Sequence, residues 1–82
     1  MNVTLLYFAV VRELVGKDEE RVVLPPGVAT VAALAAHLPT MHPALDRRLR
    51  YVRFARNEEL AQDTDPIAEG DVIALIPPVA GG

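Results

Sequence analysis

The C-terminal stretch of the chain constrains its fold more than any other part of the sequence. Residues 72–76 form the most apolar run. Two prolines and four small residues follow, in the order Pro77, Pro78, Val79, Ala80, Gly81 and Gly82. Because proline lacks the N–H that a sheet ladder needs and holds φ at about −65°, a strand that ends there must leave its sheet as an extended segment. The sequence therefore predicts a final β-strand followed by a projecting arm.

The arm narrows toward its end, because Val79 and Ala80 are small and Gly81 and Gly82 lack a Cβ atom. At about 3.3 Å per extended residue it reaches about 13 Å beyond Pro78, far enough to enter the active site of another protein. The α-carboxylate of Gly82 is our candidate reacting group. With a pKa of about 3.5 it is ionised and a poor electrophile, so its use requires activation as an acyl adenylate by a separate ATP-dependent enzyme. The alternative is a frayed terminus, which would not need a stiff mount.

The size and composition of the chain limit the functions open to it. Its 82 residues suffice for one small domain with a single modest core. The lack of cysteine excludes disulfides, thiolate metal sites and a catalytic thiol, so any sulfur that the protein handles must be carried on Gly82. The net charge of −3 argues against nucleic acid as the main partner. No apolar run approaches about eighteen residues and no signal-peptide pattern is present, so we expect no membrane contact and a cytoplasmic location.

The first third of the chain predicts a strand, a short helix and a second strand. The apolar run at residues 2–8 is typical of a central strand buried on both faces. Apolar residues at helical spacing over residues 9–15, followed by Gly16 as a cap, predict the helix. These apolar residues are Val10, Val11, Leu14 and Val15. Residues 19–24 predict the second strand, which residues 25–27 stop and which should pair antiparallel with the first.

The middle of the chain predicts the main helix. Thr30 is a suitable N-cap, and an apolar stripe follows at positions i, i+3, i+4 and i+7. The stripe consists of Val31, Leu34, Ala35 and Leu38. We expect Pro39 to end this helix and the stripe to cover the single buried face of the sheet. A helical turn is expected near Pro43.

The last part of the chain predicts two further strands. Residues 51–55 form the third strand, with arginines interleaved, and residues 57–59 form a turn. Leu60 falls in a short polar stretch between elements. Residues 69–71 form a tight turn that leads into the final strand at residues 72–76.

This order of elements favours an α+β fold of the β-grasp type, in which a mixed sheet wraps around one main helix and the first and last strands are parallel neighbours. Two segments then carry a resemblance to a known family. Residues 8–16 have the sequence Phe-Ala-Val-Val-Arg-Glu-Leu-Val-Gly, and residues 70–82 run from Gly-Asp to Pro-Pro-Val-Ala-Gly-Gly. On these segments the chain resembles the ubiquitin-like sulfur carriers, and most closely the family of molybdopterin synthase small subunits. The combination is more specific than a lone Gly-Gly, which thiamine-pathway carriers and ubiquitin relatives share.

The resemblance implies a defined reaction cycle centred on Gly82. An E1-like adenylyltransferase adenylates its carboxylate with ATP, and a sulfur donor such as a cysteine desulfurase or a rhodanese-like protein converts it to a thiocarboxylate. The arm then enters the large subunit of the synthase, within a heterotetramer, and gives its sulfur to cyclic pyranopterin monophosphate in molybdenum cofactor biosynthesis. The catalytic groups lie on the large subunit. This chain itself is expected to bind no cofactor and no metal, and the ATP belongs to the activating partner.

The resemblance also implies a hydrophobic docking face, formed by Phe8, Leu60 and Ile76. The arm residues implied to contact a partner are Pro77, Pro78, Val79 and Ala80, with Gly81 next to the reacting glycine. In the family an aromatic residue is more usual at the position of Ile76. From the residues alone, Phe8 and Ile76 suit the core and an interface equally, whereas Leu60 has polar neighbours and is expected to be exposed. We divide the chain into a β-grasp domain at residues 1–78 and a flexible tail at residues 79–82.

Two other functions fit the same sequence. The chain could serve as a ubiquitin-like sulfur carrier or modifier for another acceptor, such as thiamine, tRNA or protein lysines. It could also be a β-grasp interaction module with an inert tail. The arginines between Arg47 and Arg56 form a basic cluster that is either a solvated surface or a surface that steers docking. Without cysteine or closely spaced carboxylates, His37 and His42 are expected on a helix surface and in a loop rather than at a metal.

Overall fold

The computed structural model of the chain describes residues 1–78. Within this range the chain forms five β-strands, two α-helices and one 3-10 helix. The strands are β1 (Asn2–Tyr7), β2 (Glu19–Val23), β3 (Arg53–Arg56), β4 (Glu59–Ala61) and β5 (Val72–Ile76). The helices are α1 (Ala9–Val15), α2 (Val31–Met41) and the 3-10 helix at Pro43–Leu45.

The five strands form one mixed sheet in the order β2-β1-β5-β3-β4. Strands β1 and β5 are parallel neighbours at its centre, with Leu5 opposite Ile73 and Tyr7 opposite Leu75. The other three pairs, β1 with β2, β5 with β3 and β3 with β4, are antiparallel. The predicted α+β class, the central parallel pair and the antiparallel pairing of the first two strands are thus confirmed.

Helix α2 packs its apolar stripe on one face of this sheet. The Thr30 Oγ1 atom accepts a hydrogen bond from the Ala33 N–H at 3.2 Å and so caps the helix, as predicted. Val31, Leu34 and Leu38 are buried in the same core cluster as side chains of β1 and β5. The stripe therefore holds the helix against the centre of the sheet.

The prediction that Pro39 ends this helix is wrong, because α2 continues to Met41. Proline removes one backbone hydrogen bond from a helix but leaves the bonds on either side of it available. The last turn is closed by the His42 N–H, which donates to the Leu38 carbonyl oxygen at 2.9 Å.

Strand β1 has one fully buried face rather than the two that were predicted. Val3, Leu5 and Tyr7 are buried, whereas Thr4 and Leu6 on the other face are only half-buried. The reason is that the buried side chains of both helices belong to the core on the first face. No helix of residues 1–78 covers the second face of the sheet, which is called the open face below.

Helix α1 occupies the predicted residues and ends at Gly16, whose φ of 89° suits a residue without a Cβ atom. The Gly16 N–H donates to the Arg12 carbonyl oxygen at 2.8 Å. The predicted apolar face is only partly correct. Val11 is buried in the core, but Val10 is 47% exposed.

The third strand starts later than predicted and leads into a strand that the sequence analysis missed. Strand β3 begins at Arg53, and Tyr51 lies before it in a turn with 69% of its surface exposed. Asn57 and Glu58, with φ values of 50° and 72°, form the two-residue type I′ turn of a β-hairpin. Leu60 lies on β4, the second strand of that hairpin. The sequence did not predict this strand, because three residues show too little alternation of apolar and polar side chains to be recognised.

Asp71 ties this hairpin to the start of β5. Its Oδ2 atom accepts hydrogen bonds from the Arg56 Nε–H at 2.6 Å and the Ala68 N–H at 2.8 Å, and its Oδ1 atom accepts one from the Asn57 side-chain amide at 3.0 Å. Burial would raise the pKa of this carboxyl, but these three donors and the charge of Arg56 lower its pKa below the ordinary value. The ionised form of Asp71 is therefore the form that the fold requires.

We predict that Asp71→Asn lowers the free energy of unfolding near pH 7 by about 2 kcal/mol, because an amide cannot accept all three bonds. It should also change the response to acid. With a lowered pKa, folded Asp71 binds fewer protons than unfolded Asp71, so its contribution is complete above the ordinary pKa of about 3.9 and is lost as the pH falls through the folded pKa. Urea unfolding across the acid range should show a shallower loss in the variant. Parallel curves for the two proteins would contradict this role of Asp71.

We predict that Glu58→Gly raises the free energy of unfolding by about 0.5–1 kcal/mol. Glycine adopts the positive φ of this turn position without the strain of a side chain. Glu59→Gly is the matched control, since it removes the same charge one residue later, within β4. There glycine should destabilise the protein by about 0.5–1 kcal/mol. Equal effects of the two substitutions in urea unfolding would show that charge, not backbone conformation, is responsible.

Candidate docking face beside the terminal arm

The open face of the sheet carries all three residues of the predicted docking face. Phe8 follows β1 directly and keeps an extended backbone, with φ of −122° and ψ of 150°. Because Tyr7 lies opposite Leu75, one further step of the same register places Phe8 beside Ile76 on the face opposite the core. Phe8 is 47% exposed and Ile76 is half-buried. The structure thus places Phe8 at the surface, where the sequence had left its burial open.

Leu60 lies on the same face, two strands away from Ile76. Leu60 on β4 pairs with Ala55 on β3. Ala55 pairs in turn with Ala74 on β5, and Ala74 pairs with Leu6 on β1, so these four residues form one row across the sheet. From strand and residue spacings, Phe8 and Leu60 stand about 16 Å apart across the sheet. Leu60 is 64% exposed, which confirms its expected exposure. Its part in docking stays a prediction.

Leu6 and Ala74 join the three docking residues into a continuous apolar surface, and the sequence analysis missed both. They lie two residues before Phe8 and Ile76 on their strands, so the period of two along each strand could have identified them. They were missed because β1 was interpreted as a strand buried on both faces, which would place Leu6 in the core. Since Ala74 is small, the centre of the surface is lower than its Phe8 and Leu60 ends.

The arm leaves the sheet at the same end as Phe8 and Ile76. Pro77 is half-buried and Pro78 is exposed. Val79, Ala80, Gly81 and Gly82, which the sequence analysis assigned to partner binding and to the reaction, lie outside the described residues. Strand β5 pairs with β1 on one side and β3 on the other, so the segment that carries the arm starts from the middle strand of the sheet.

The structure also brings together Tyr7, Glu20 and His42, a combination of side chains that could carry acid–base chemistry. The Tyr7 hydroxyl donates to Glu20 Oε1 at 2.7 Å, and His42 Nε2 lies 2.8 Å from the same oxygen. Burial, together with the bond and charge of Glu20, raises the pKa of Tyr7 far above its ordinary range. Burial would raise the pKa of Glu20, but His42 and Tyr7 lower it overall. The Tyr7 side chain is buried in the core, so the contacts of this cluster tie β1 to β2 and to the residue that follows α2.

The described residues form neither a metal-binding cluster nor a membrane-spanning helix. Among residues 1–78, no three His, Asp or Glu side chains are grouped so that they could hold a metal ion. Neither α1 nor α2 has the length and apolarity that a membrane crossing requires, within the part of the chain that the structure describes.

A mixed five-stranded sheet folded around one helix, with an apolar open face beside the exit of its last strand, is typical of ubiquitin-like β-grasp proteins. The model of the ThiS family matches residues 5–82, and the chain belongs to this family. The family resemblance predicted from the two terminal segments is therefore confirmed.

Three relatives illustrate the similarity. The molybdopterin synthase sulfur carrier subunit of Chlamydomonas reinhardtii is 39% identical and is aligned over 100% of both chains. The crystal structure of small archaeal modifier protein 1 from Haloferax volcanii is 32% identical, with a TM-score of 0.83 over 95% of this chain and 98% of that one. A complex of subunits 1 and 2 of the molybdopterin-converting factor from Helicobacter pylori contains a chain that is 25% identical, with a TM-score of 0.69 and full coverage of both chains.

Proposed function

We propose that this protein is the sulfur carrier subunit of molybdopterin synthase, and that the carboxylate of Gly82 is its reacting group. The observation that carries the proposal is the full-length similarity to the Chlamydomonas reinhardtii subunit of that name. The large subunit of the synthase is then its main partner, as the two-subunit Helicobacter pylori complex suggests. An E1-like adenylyltransferase and a sulfur donor such as a cysteine desulfurase or a rhodanese-like protein act before it, in the cytoplasm.

The chemistry requires this protein to carry an acyl group and to supply no catalyst. In the activating enzyme, the Gly82 carboxylate attacks the α-phosphorus of ATP and releases pyrophosphate. A persulfide of the sulfur donor then attacks the acyl carbon and displaces AMP, which gives an acyl disulfide. A second thiol reduces the S–S bond of this intermediate, forms a disulfide with the donor cysteine and leaves a thiocarboxylate on Gly82. In the large subunit, the thiocarboxylate sulfur forms a C–S bond to cyclic pyranopterin monophosphate as a C–O bond of that precursor breaks. Hydrolysis of the acyl–sulfur bond then leaves the sulfur on the precursor and restores the carboxylate. The sequence has no glycine-rich nucleotide loop, so ATP and its magnesium belong to the partner.

The fold contributes a fixed origin for the arm and a docking face beside it. Ile76 lies immediately before Pro77, and Phe8 is its neighbour across the sheet, so a partner that covers these side chains also stands over the start of the arm. The glycines themselves supply almost no side-chain contact area. We therefore propose that the docking face provides most of the affinity while the arm provides the chemistry.

A second candidate function differs only in the acceptor. The similarity to small archaeal modifier protein 1 favours a ubiquitin-like carrier or modifier, in which the activated Gly82 is passed to another sulfur acceptor or to a protein lysine. Activation by adenylation is common to both functions. The product formed after activation distinguishes them.

The sulfur-carrier proposal predicts a change in mass. After incubation with an E1-like adenylyltransferase, Mg-ATP and a persulfide donor, the intact protein should gain about 16 Da, the difference between one sulfur and one oxygen atom. A variant that lacks Gly82 should gain nothing. Addition of the large subunit and cyclic pyranopterin monophosphate should return the mass to its starting value.

The outcomes separate the candidate functions. A gain that persists with the synthase components but is lost with thiamine-pathway or tRNA acceptors would favour the second function. The absence of any gain, with a donor system that sulfurates a related carrier, would refute sulfur carriage altogether and leave an interaction module.

The docking face predicts that Leu60→Asp raises the Kd for the large subunit by about tenfold or more, since it places a charge in an apolar contact. Stability should change by less than about 0.5 kcal/mol, because Leu60 is exposed. Val23→Asp is the matched control. Val23 is 73% exposed and lies opposite Asn2, at the other end of the sheet. Calorimetric titration with both variants checks this, and equal weakening would contradict a localised docking face.

A further inference from the structure

A second apolar surface lies on the other side of the exit of the arm. It is a groove with a volume of about 310 Å³, between helix α1, the 3-10 helix with the segment that follows it, and the two prolines after β5. Val11 and Leu45, at its base, are core residues of the helix-covered side of the sheet. We call it the α1 groove. It is separate from the docking face, which lies on the open side.

The rim of the α1 groove carries large apolar side chains that the fold does not need to expose. Val10 is 47% exposed and Tyr51 is 69% exposed, and both line the groove. The Arg50 guanidinium lies 5.8 Å from the centroid of the Tyr51 ring, a cation–π contact that helps to orient the ring. An exposed and oriented aromatic residue beside an apolar groove is typical of protein interaction sites.

The rim is also positively charged. Arg47 and Arg48 both line the groove, and both are exposed. Among residues 1–78, Lys17 and Arg56 form ion pairs with carboxylates, and neither rim arginine takes part in one. Arg47 has a φ of 66°, which an arginine adopts only with some strain. A chain with a net charge of −3 thus holds two arginines without a carboxylate partner in the described structure, next to the exit of its arm.

These observations define the chemistry of an occupant. The apolar base fits a large apolar side chain, and the arginines fit carboxylates next to it. A nucleotide phosphate is a poorer match, because the described groove offers neither a glycine-rich loop nor a buried polar group to orient it. Pro77 and Pro78 form part of the wall, so the groove adjoins the start of the arm.

We infer that the α1 groove is a second docking site, which takes an acidic segment of the large synthase subunit with a large apolar side chain beside its carboxylates. This inference rests on the proposed function. In the complex, the docking face holds the open side of the sheet and the α1 groove holds the helix side. The arm then enters the partner between two contacts.

Three single variants test the groove by calorimetric titration with the large subunit. Arg48→Glu should raise the Kd about tenfold at low ionic strength and only about twofold to threefold in high salt, because the contact is a screened charge pair. Tyr51→Ser should raise the Kd about fivefold at both salt concentrations, because the contact is apolar. Arg21→Glu makes the same charge change on an exposed residue of β2 and should stay within about twofold of wild type. Urea unfolding of each variant shows whether it is folded.

Photo-crosslinking identifies the occupant directly. With p-benzoylphenylalanine in place of Tyr51, mass spectrometry should map the crosslink to a segment of the large subunit that contains Asp or Glu.

Crosslinks to a segment without acidic residues, or to a second copy of this chain, would overturn the inference. Unchanged Kd values for Arg48→Glu and Tyr51→Ser would also overturn it. If Arg48→Glu changed only the ATP concentration needed for adenylation, the occupant of the groove would be a nucleotide, and the inference would be wrong. If wild type gains the sulfur mass and binds the large subunit while the variants match it, this inference alone fails. If wild type does neither, the proposed function fails first.

Discussion

The parallel pairing of β1 with β5 at the centre of the sheet is the constraint on which the rest of the structure depends. It joins the two ends of an 82-residue chain, and the alternate residues of both strands, such as Leu5 and Ile73, supply much of the core. It also brings Phe8 and Ile76, which are distant in sequence, to adjacent positions at one end of the sheet. The arm therefore begins at the middle strand of the sheet, and Pro77 and Pro78 have a defined position relative to the predicted docking face.

Both helices pack on the same side of the sheet, so among residues 1–78 its other face has no covering layer, and this face carries the predicted docking residues. Exposed apolar area on a small monomer usually marks an interaction site. Here Leu6 and Ala74 are half-buried between Phe8 and Leu60, so the surface is continuous rather than a set of isolated side chains. The burial prediction for β1 was wrong because, in the described residues, no layer covers its second face, and the same lack of cover exposes the predicted docking residues.

The elements that could be predicted from the sequence are those with a strong local signal. The capped helix α1 with Gly16, the N-cap at Thr30 and the final strand before Pro77 all have residues whose backbone chemistry leaves few alternatives. Strand β4 could not be predicted because its three residues acquire their conformation from the type I′ turn and from pairing with β3. The extension of α2 past Pro39 depends on packing, which outweighs the loss of one hydrogen bond.

The parts of the candidate site that consist of a recognisable sequence motif could be proposed from the sequence. The parts that form only when separate elements pack together could not. The terminal glycines and the docking residues followed from motifs, whereas the α1 groove exists only because Val10, Tyr51 and Pro78 come from three separate elements. This difference bears on mechanism. In the proposed function, four small residues with little affinity of their own have to reach one geometry inside a partner, so the free energy that orients them would come from contacts at the base of the arm. Contacts on only one side of that base would let the domain pivot. Contacts at both the docking face and the α1 groove, as proposed, would instead fix the orientation of the domain relative to the partner.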